Sequence, residues 1–402
     1  MSYQRINLRS FPLLWLLLVV PFVAVVFAQE SKDNKVALPK PLSKAAKTSA
    51  EYFKSAKVVH LEIELGPKEL DSLRREPRKY VKCTLKEDGT VIGKDVGIHL
   101  KGAAGSFRGI DDKPGLTLNM DKFVDGQLFH GMDKFHLANS VQDPSYLSEL
   151  ICGELFRAAG VPASRVHHAL VTINGRKRGL YYLKEGYDRT FLKTHFGNSD
   201  GNFYDGGFLR DIDGGLQLIS TKKDVKDQAD LKALNTACRV PVAERFTRME
   251  KLLDVDRFIS FIVLETITWD WDGYPMNRNN YRIYHDPLRD KIVFIPSGMD
   301  QMFGDPNGTI TPGFQGLIAR QLMETPQGRT RYYERMAQIM KTVYNVDTLI
   351  ARLNELEARV QPALESVDKG AGRDYKNQVN RLRDAIKVRA KAIDQQLAKI
   401  KK

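Results

Sequence analysis

The chain contains very little cysteine: Cys83, Cys152 and Cys238 are the three present among 402 residues. They lie far apart and form no Cys-x-x-Cys pair, which argues against a zinc site and allows one disulfide at most. The stability of the fold must therefore come from an apolar core. A hydrophobic content of 42% is sufficient for one large domain or for two lobes around a shared cleft.

Several motifs that define enzyme classes are also absent from the sequence. There is no Gly-x-Ser-x-Gly elbow, no His-Glu-x-x-His helix and no Walker-type loop, so these three routes to catalysis have no basis here. Neither a zinc-finger spacing nor an aromatic RNA-binding signature occurs, and no nucleic-acid partner is expected.

Acidic residues are the minority among the charged ones, with 49 Asp and Glu against 62 Lys and Arg and a net charge of +13. A basic excess attracts polyanions such as nucleotides, phosphorylated chains or anionic lipids. The simpler interpretation is a solvated basic surface. The excess is greatest near the C-terminus, at Lys387, Arg389, Lys391, Lys399, Lys401 and Lys402.

The N-terminal residues 1–28 place Arg5 and Arg9 before an apolar run from Phe11 to Ala28. This order is typical of an export signal, and the run is also long enough to be a membrane anchor. We therefore expect an exported protein (secreted, periplasmic or on the cell surface) that touches a membrane only through this segment, if it is not cleaved. Residues 29–57, rich in Lys, Ser, Pro and Ala, predict a flexible linker.

Regular structure is predicted to begin at residue 58, in a domain that extends to residue 345. Its first half alternates apolar and polar residues between Gly and Asp turns, which predicts a twisted antiparallel sheet with one helix and an Asn174-Gly175 hairpin turn. Its second half is mainly helical. Residues 346–402 have apolar residues at helical spacing and predict basic C-terminal helices. The fold class is therefore α+β.

The strongest functional signal is the loop TWDWDGYPMNRNNY, followed by a hairpin and then Asp300. Its carboxylates and carboxamides are hard oxygen ligands of the kind that Mg²⁺ prefers. Phosphoryl transfer needs one carboxylate to orient the attacking hydroxyl, and an Asn and another Asp to hold metal on the phosphates. Asp272 and Asn277 have the five-residue offset of a kinase catalytic loop. The alternative is that these residues only form turns and cap helices.

Several segments resemble the CotH family, the spore-coat protein H-like atypical kinases of the secretory pathway. Residues 279–284 are similar to the family's Asn-Asn-Tyr-x-x-Tyr strand, and residues 296–304 to its Pro-Trp-Asp-x-Asp-x-x-Phe-Gly motif. Upstream motifs occur in the same order, so the resemblance covers roughly residues 58–304. Ser297 and Gly298 replace the motif's Trp and first Asp. This departure leaves a weakened metal site, a changed metal preference or lost catalysis as open outcomes.

The resemblance implies a bilobal atypical protein-kinase-like fold, with a mixed-sheet N-lobe, a helical C-lobe and a C-terminal helical extension. It implies ATP with Mg²⁺ or Mn²⁺ as cofactors, and an extracytoplasmic protein phosphorylated on Ser or Thr as the substrate. Asp272 would be the catalytic base and Asp300 a metal ligand. A second metal contact would come from Asn277, Asn279 or Asn280.

The resemblance also implies a nucleotide site, in which Lys113 would bind the phosphates. Glu149 or Glu154 would orient that lysine, and Glu185 would lie near the adenosine. Two other classes of function stay open, namely a non-catalytic coat or surface protein that kept the fold and a surface protein that binds polyanions through its C-terminal helices. Deletion of residues from 346 onward would abolish polyanion binding, whereas a kinase core could keep its activity.

Overall fold

Seven strands of the N-terminal half form a closed barrel. The computed structural model describes residues 43–220 and 227–400, so the predicted signal or anchor at residues 1–28 lies outside the described residues. The strands are adjacent in the order β1-β2-β3-β4-β5-β7-β6. Their bounds are β1 Val59–Glu64, β2 Val81–Glu87, β3 Thr90–Lys101, β4 Gly115–Asn119, β5 Lys134–Ala138, β6 Val166–Ile173 and β7 Arg176–Glu185.

The barrel closes through the pairing of β1 with β6, which is its one parallel contact. Their register runs from Val59 opposite Ala169 to Ile63 opposite Ile173. The alternation predicted for the first strand is confirmed, because Leu61 and Ile63 are buried in the barrel core. The sheet differs from the expected one in having no open edge between its first and last strands.

The hairpin between β6 and β7 turns at Asn174-Gly175, as predicted. Both residues have positive φ, of 47° and 75°. This is the conformation of a type I′ turn, whose twist matches that of the two flanking strands. The bond from Leu65 N to Asn174 Oδ1, of 2.8 Å, also fixes the turn against the end of β1.

The segment predicted to be a linker contains a helix, α1 Lys44–Lys54. Ser43 caps it by accepting a hydrogen bond from the backbone N–H of Ala46. Ser49 and Tyr52 are buried, and Ser49 accepts a 2.8 Å hydrogen bond from Arg165. The linker prediction is therefore wrong for residues 44–54. The buried face of the helix is too narrow to give a sustained apolar period.

The C-terminal half combines helices with a second, four-stranded sheet in the order β11-β10-β8-β9. The predicted hairpin before Asp300 is confirmed as the β10–β11 pair. The strands are β8 Phe203–Asp205, β9 Gln217–Ser220, β10 Tyr281–Asp286 and β11 Lys291–Pro296. The other helices are α2 Pro67–Arg75, α3 Ser148–Ala158, α4 Arg189–Phe196, α5 Ala229–Cys238, α6 Val242–Leu252, α7 Val255–Ile267, α8 Tyr274–Asn277, α9 Leu317–Met323, α10 Pro326–Thr342, α11 Val346–Glu365 and α12 Ala371–Ile400.

The two C-terminal helices α11 and α12 are part of the main core. The predicted apolar face of α11, at Leu349, Leu353, Leu356 and Val360, is buried. It joins one continuous cluster with side chains of α3, α7 and α10. The α+β class is thus confirmed, but residue 345 does not mark a boundary in the packing. Within the described ranges, no helix combines the length and apolar character needed to cross a membrane.

Candidate functional site

The Asp272 carboxylate is held by three carboxamide groups from its own loop. Asn277 Nδ2 donates to Asp272 Oδ1 over 2.6 Å, and the Nδ2 atoms of Asn279 and Asn280 each donate to Oδ2 over 3.0 Å. The structure therefore brings together four of the predicted site residues. Because each amide nitrogen is used on Asp272, the three carboxamide oxygens stay available as acceptors or metal ligands.

The local backbone explains why these side chains converge. The short helix α8 begins after Gly273, with Pro275 in its first turn, a position that suits proline. Arg278 and Asn280 then adopt left-handed conformations, with φ of 53° and 52°, and turn the chain towards β10. The buried Tyr274 anchors the loop, because its hydroxyl donates to Asp211 and accepts from the N–H of Ile318.

The backbone at residue 298 suits glycine, the residue that stands where the family motif has its first Asp. Its φ is +66°, and a Cβ at this position would lie 2.6 Å from Asn280 Oδ1. The absence of a side chain lets residues 297–300 pack directly on the Asn280 carboxamide. The Ser297 N–H also donates to Asn280 O over 2.9 Å. The segment that leads to Asp300 is thus fixed against the cluster around Asp272.

Asp300 lies among charged side chains from the barrel and from α3. Burial raises its pKa to about 7, and the carboxylates of Glu149 and Asp143 add to this effect, while Lys184 and Lys101 oppose it. This carboxyl group therefore holds a proton more tightly than an exposed aspartate does. Asp300 also lines an open groove of about 390 Å³, the Asp300 groove, between the 142–148 segment, Trp271 and α12.

The buried lysine next to this site is Lys184 of β7, which forms an ion pair with Glu149 of α3. Although burial disfavours its charged form, the Glu149 carboxylate raises the pKa of Lys184, and Asp300 adds to the effect. Lys101, at the end of β3, faces the same group of charges, and burial together with Lys184 lowers its pKa to about 8. Sequence reasoning missed both lysines. For Lys184, the available signal was a lysine directly after the apolar run GLYYL.

Among the residues predicted for the nucleotide site, Glu149 belongs to this group of charges, whereas Lys113, Glu154 and Glu185 have other partners. Lys113 donates to the Tyr146 hydroxyl over 2.8 Å, so its expected contact with Glu149 is not formed. Glu154 instead pairs with Arg352 of α11 over 2.7 Å. Strand alternation turns Glu185 to the opposite side from Lys184, where it is fully buried and paired with Arg165.

Two further buried carboxyl groups, Glu265 and Asp270, lie behind the Asp272 loop. Both oxygens of Glu265 and Oδ2 of Asp270 have no hydrogen-bond partner among the described residues. Burial raises the pKa of both groups. Asp270 adds to the effect on Glu265, and Asp272 raises the pKa of Asp270 further. Both groups therefore hold their protons more tightly than exposed carboxyl groups do.

The donor set fits a divalent cation that is held jointly by protein and nucleotide. Among residues 43–220 and 227–400, no three His, Cys, Asp or Glu side chains cluster closely enough to hold a metal alone. Mg²⁺ commonly uses one or two carboxylates, with phosphate oxygens and waters completing its shell. Asp300 and the free oxygens of Asn277, Asn279 and Asn280 are the residues that would supply the protein ligands.

Comparison with known proteins places the chain in a family. A family model described as CotH kinase protein matches residues 98–393, which is more than half of the chain. The chain therefore belongs to the CotH kinase protein family. The match includes most of α12, in agreement with the packing of the C-terminal helices.

Among curated relatives, the inner spore coat protein H of Bacillus subtilis (strain 168) is 23% identical over 264 residues, which cover 60% of this chain and 71% of that protein. Invasin CotH3 of Rhizopus delemar is 23% identical over 265 residues, 58% of this chain. The match spans only 44% of that invasin's length.

Two solved structures are similar at a low level. The proinflammatory kinase CtkA of Helicobacter pylori has a TM-score of 0.32 and 10% identity, covering 70% of this chain and 94% of that one. HipA–HipB of Shewanella oneidensis MR-1, solved with operator DNA, has a TM-score of 0.29 and 14% identity, covering 91% and 76%.

Proposed function

We propose that this protein is an exported kinase that transfers the γ-phosphoryl group of ATP to Ser or Thr hydroxyls of an extracytoplasmic protein. One observation carries the proposal: Asp272, pinned by three carboxamides, is packed through Asn280 and Gly298 against the segment of Asp300. A structural turn does not need a carboxylate with three amide donors beside a second, buried carboxyl group.

The chemistry assigns a separate task to each group. Asp272 orients the acceptor hydroxyl and takes its proton as the hydroxyl oxygen bonds to the γ-phosphorus. The bond from that phosphorus to the β–γ bridging oxygen breaks, and ADP leaves with the electron pair. Lys184, held by Glu149, neutralises phosphate charge, as the lysine–glutamate pair does in protein kinases. Mg²⁺ or Mn²⁺, when bound, supplies charge neutralisation on the phosphates next to Asp300.

We further propose that the barrel and the helical half act as the two lobes of a kinase-like cleft. Lys184 and Lys101 belong to the barrel, whereas Asp272 belongs to the helical half and Asp300 follows the second sheet. The Asp300 groove, which Asp300 itself lines, is the place proposed for the acceptor segment of the substrate. Its rim carries the exposed Arg381, and the net charge of +13 favours acidic or already phosphorylated substrates.

Export is proposed from the N-terminal charge pattern and from the relatives. A basic segment precedes the apolar run of residues 11–28. The relatives named above are a spore coat protein and an invasin. A fusion of residues 1–57 to a reporter that is active only outside the cytoplasm tests this point. Cytoplasmic retention of the fusion would exclude export through this segment.

The decisive test of the kinase proposal is incubation of the purified protein with γ-labelled ATP and Mn²⁺ or Mg²⁺. Wild type is expected to label itself or an added protein, and Asp272→Asn and Asp300→Asn are expected to label neither. Asp290→Asn is the control, because this aspartate is 88% exposed and lies in the turn between β10 and β11, at the opposite end of the hairpin from Asn280 and Ser297. Equal labelling by wild type and Asp272→Asn would refute the proposal.

A second candidate is a non-catalytic coat or surface protein. Gly298, which stands where the family motif has an acidic residue, favours it, because the site then has fewer carboxylates for metal. In that case wild type transfers no phosphate under any metal condition. The deletion from residue 346 that the sequence suggested cannot test polyanion binding, because it removes part of the core. Reversal of exposed charges on α12 is the appropriate substitute.

A further inference from the structure

Arg389 of α12 is fully buried, although it carries a permanent charge. Its Nε donates to Ile267 O over 3.0 Å and its Nη2 donates to Thr266 O over 2.6 Å. Its Nη1 donates to Gly308 O. All three nitrogens thus bind backbone carbonyl oxygens rather than a carboxylate. Burial of an ion is costly without excellent compensating contacts, so this arrangement calls for a reason beyond packing.

Two of the three carbonyls form the C-terminal end of α7. The last carbonyls of a helix have no partner within the helix and carry partial negative charge, so a cation there is favourable. The loop that carries Asp272 starts directly after them. Trp269, the second residue past the end of α7, has φ of +50° and therefore leaves the helical path sharply.

Trp269 contacts both Arg389 and the backbone of Gly308. The guanidinium carbon lies 5.3 Å from the centre of the indole ring. A Cβ on Gly308 would lie 2.1 Å from Trp269 Cζ3, so the ring also packs directly on that backbone. One guanidinium thus fixes the ring and the carbonyl on which the ring rests.

The third carbonyl belongs to the loop that follows Asp300. The Phe303 N–H donates to Thr268 O over 2.7 Å, and Gly308 O accepts from Arg389 and also from Gln396 Nε2. Arg389 consequently touches both segments of the site, the one that leads to Asp272 and the one that follows Asp300. Both contacts come from α12, and Arg389 follows Asp272 by more than a hundred residues in the sequence.

We propose that Arg389 is a positioning residue that holds the Asp272 loop and the Asp300 segment in their mutual arrangement. This inference rests on the proposed function for its kinetic consequence. Lysine at this position carries the same charge but cannot bridge three carbonyls in a fixed plane. Displacement of a reacting group by about 1 Å can cost roughly 100-fold in rate.

The kinetic test compares Arg389→Lys with Arg383→Lys. Arg383 lies on the same helix but pairs with Glu357 and Asn354 of α11, and its hydrogen bonds within the described residues reach neither α7 nor the loop after Asp300. Arg389→Lys is expected to lower kcat at least tenfold with KM for ATP within about threefold of wild type. Arg383→Lys is expected to keep kcat even if its Tm falls. A folded Arg389→Lys protein with wild-type kcat would overturn the proposal.

A second measurement does not need activity. In a background with Trp15 and Trp271 replaced by Phe, Trp269 is the one tryptophan left. Arg389→Lys is expected to increase acrylamide quenching of Trp269 and to weaken Mn²⁺ binding in the presence of ATP, whereas Arg383→Lys leaves both unchanged. Unaltered quenching and binding would overturn the positioning role.

The two tests also separate this inference from the kinase proposal. If wild type transfers no phosphate, the proposed function fails. The acrylamide quenching of Trp269 and the measurement of Mn²⁺ binding still decide the role of Arg389. If Arg389→Lys does not fold, Trp269→Phe replaces it, because the smaller ring loosens the same stack. A Trp269→Phe protein with wild-type kcat would then count against the proposal.

Discussion

Lys184 and Glu149 form an ion pair between β7 and α3, with side-chain exposures of 8% and 3%. Removal of one partner from such a pair leaves the other charge buried without compensation. We therefore expect Lys184→Met to lower the free energy of unfolding by roughly 3–5 kcal/mol, measured by urea denaturation. The double change Lys184→Met with Glu149→Gln is expected to recover most of this loss, and phosphotransfer should stay absent in both.

Lys113 provides the matched control for that experiment. It is bonded to Tyr146 and lies over the rings of Tyr146 and Tyr181, at 5.0 and 5.2 Å. Lys113→Met is expected to keep phosphotransfer within a few-fold of wild type. A complete loss of activity in Lys113→Met, with Lys184→Met active, would return the phosphate-binding role to the lysine that the sequence indicated.

The raised pKa of Asp300 predicts a pH-dependent stability. The unfolded carboxyl ionises near 3.8 and the folded one near 7, so the folded state retains a proton in this window that the unfolded state has lost. Stability therefore falls as pH rises from about 4 to about 7, and the penalty persists above that. Asp300→Asn is expected to be more stable than wild type by roughly 1–4 kcal/mol at pH 8 and equal at pH 4.

Added Mn²⁺ and ATP serve as the control for the Asp300 experiment. A ligand that binds only the folded state raises Tm. Wild type at pH 8 should gain Tm with both ligands, and Asp300→Asn should gain much less. Equal gains in the two proteins would exclude Asp300 as a metal ligand.

Restoring the family's acidic residue at Gly298 is expected to harm the protein. Its φ of +66° lies in the left-handed region that favours glycine, and a Cβ would press on Asn280 Oδ1. Gly298→Asp and Gly298→Ala should each cost about 1–3 kcal/mol and lower, not raise, phosphotransfer. Gly109→Ala is the control, because its Cβ would meet open space. Increased activity in Gly298→Asp would show that the loop accommodates a second carboxylate.

Truncation after residue 345 is expected to abolish folding. The truncation removes the buried side chains of α11 and α12, among them Leu353, Leu356 and Ile393, from the main core. Each large buried aliphatic side chain contributes roughly 1.5–3 kcal/mol, so the loss exceeds the stability of a typical domain. Circular dichroism and solubility of residues 43–345 check this. A folded, active truncated protein would contradict it.

The sequence predicted the parts of the site that depend on local spacing. Asp272 and its three asparagines lie within nine residues, so one loop can bring them together. Lys184 was missed because its partner Glu149 is 35 positions away and a pairing across strand and helix leaves no local pattern. Lys113 was chosen from the resemblance, and two tyrosines surround it instead.

The same distinction holds for the fold. The hairpin at Asn174-Gly175 was predictable because turn chemistry is local, whereas the parallel pairing of β1 with β6 joins segments about a hundred residues apart. The buried role of Arg389 was hidden because a basic residue in a basic helix indicates solvent exposure. It required knowledge of the carbonyls that it meets.

Closure of the barrel has a consequence for how copies of this protein could assemble. A sheet with no unpaired outer strand offers no backbone donors or acceptors for extension by another chain. Of the two outer strands of the second sheet, β11 is largely buried, while β9 exposes Gln217 and Ile219. Any polymer built by strand addition in this part of the chain would therefore have to grow from β9.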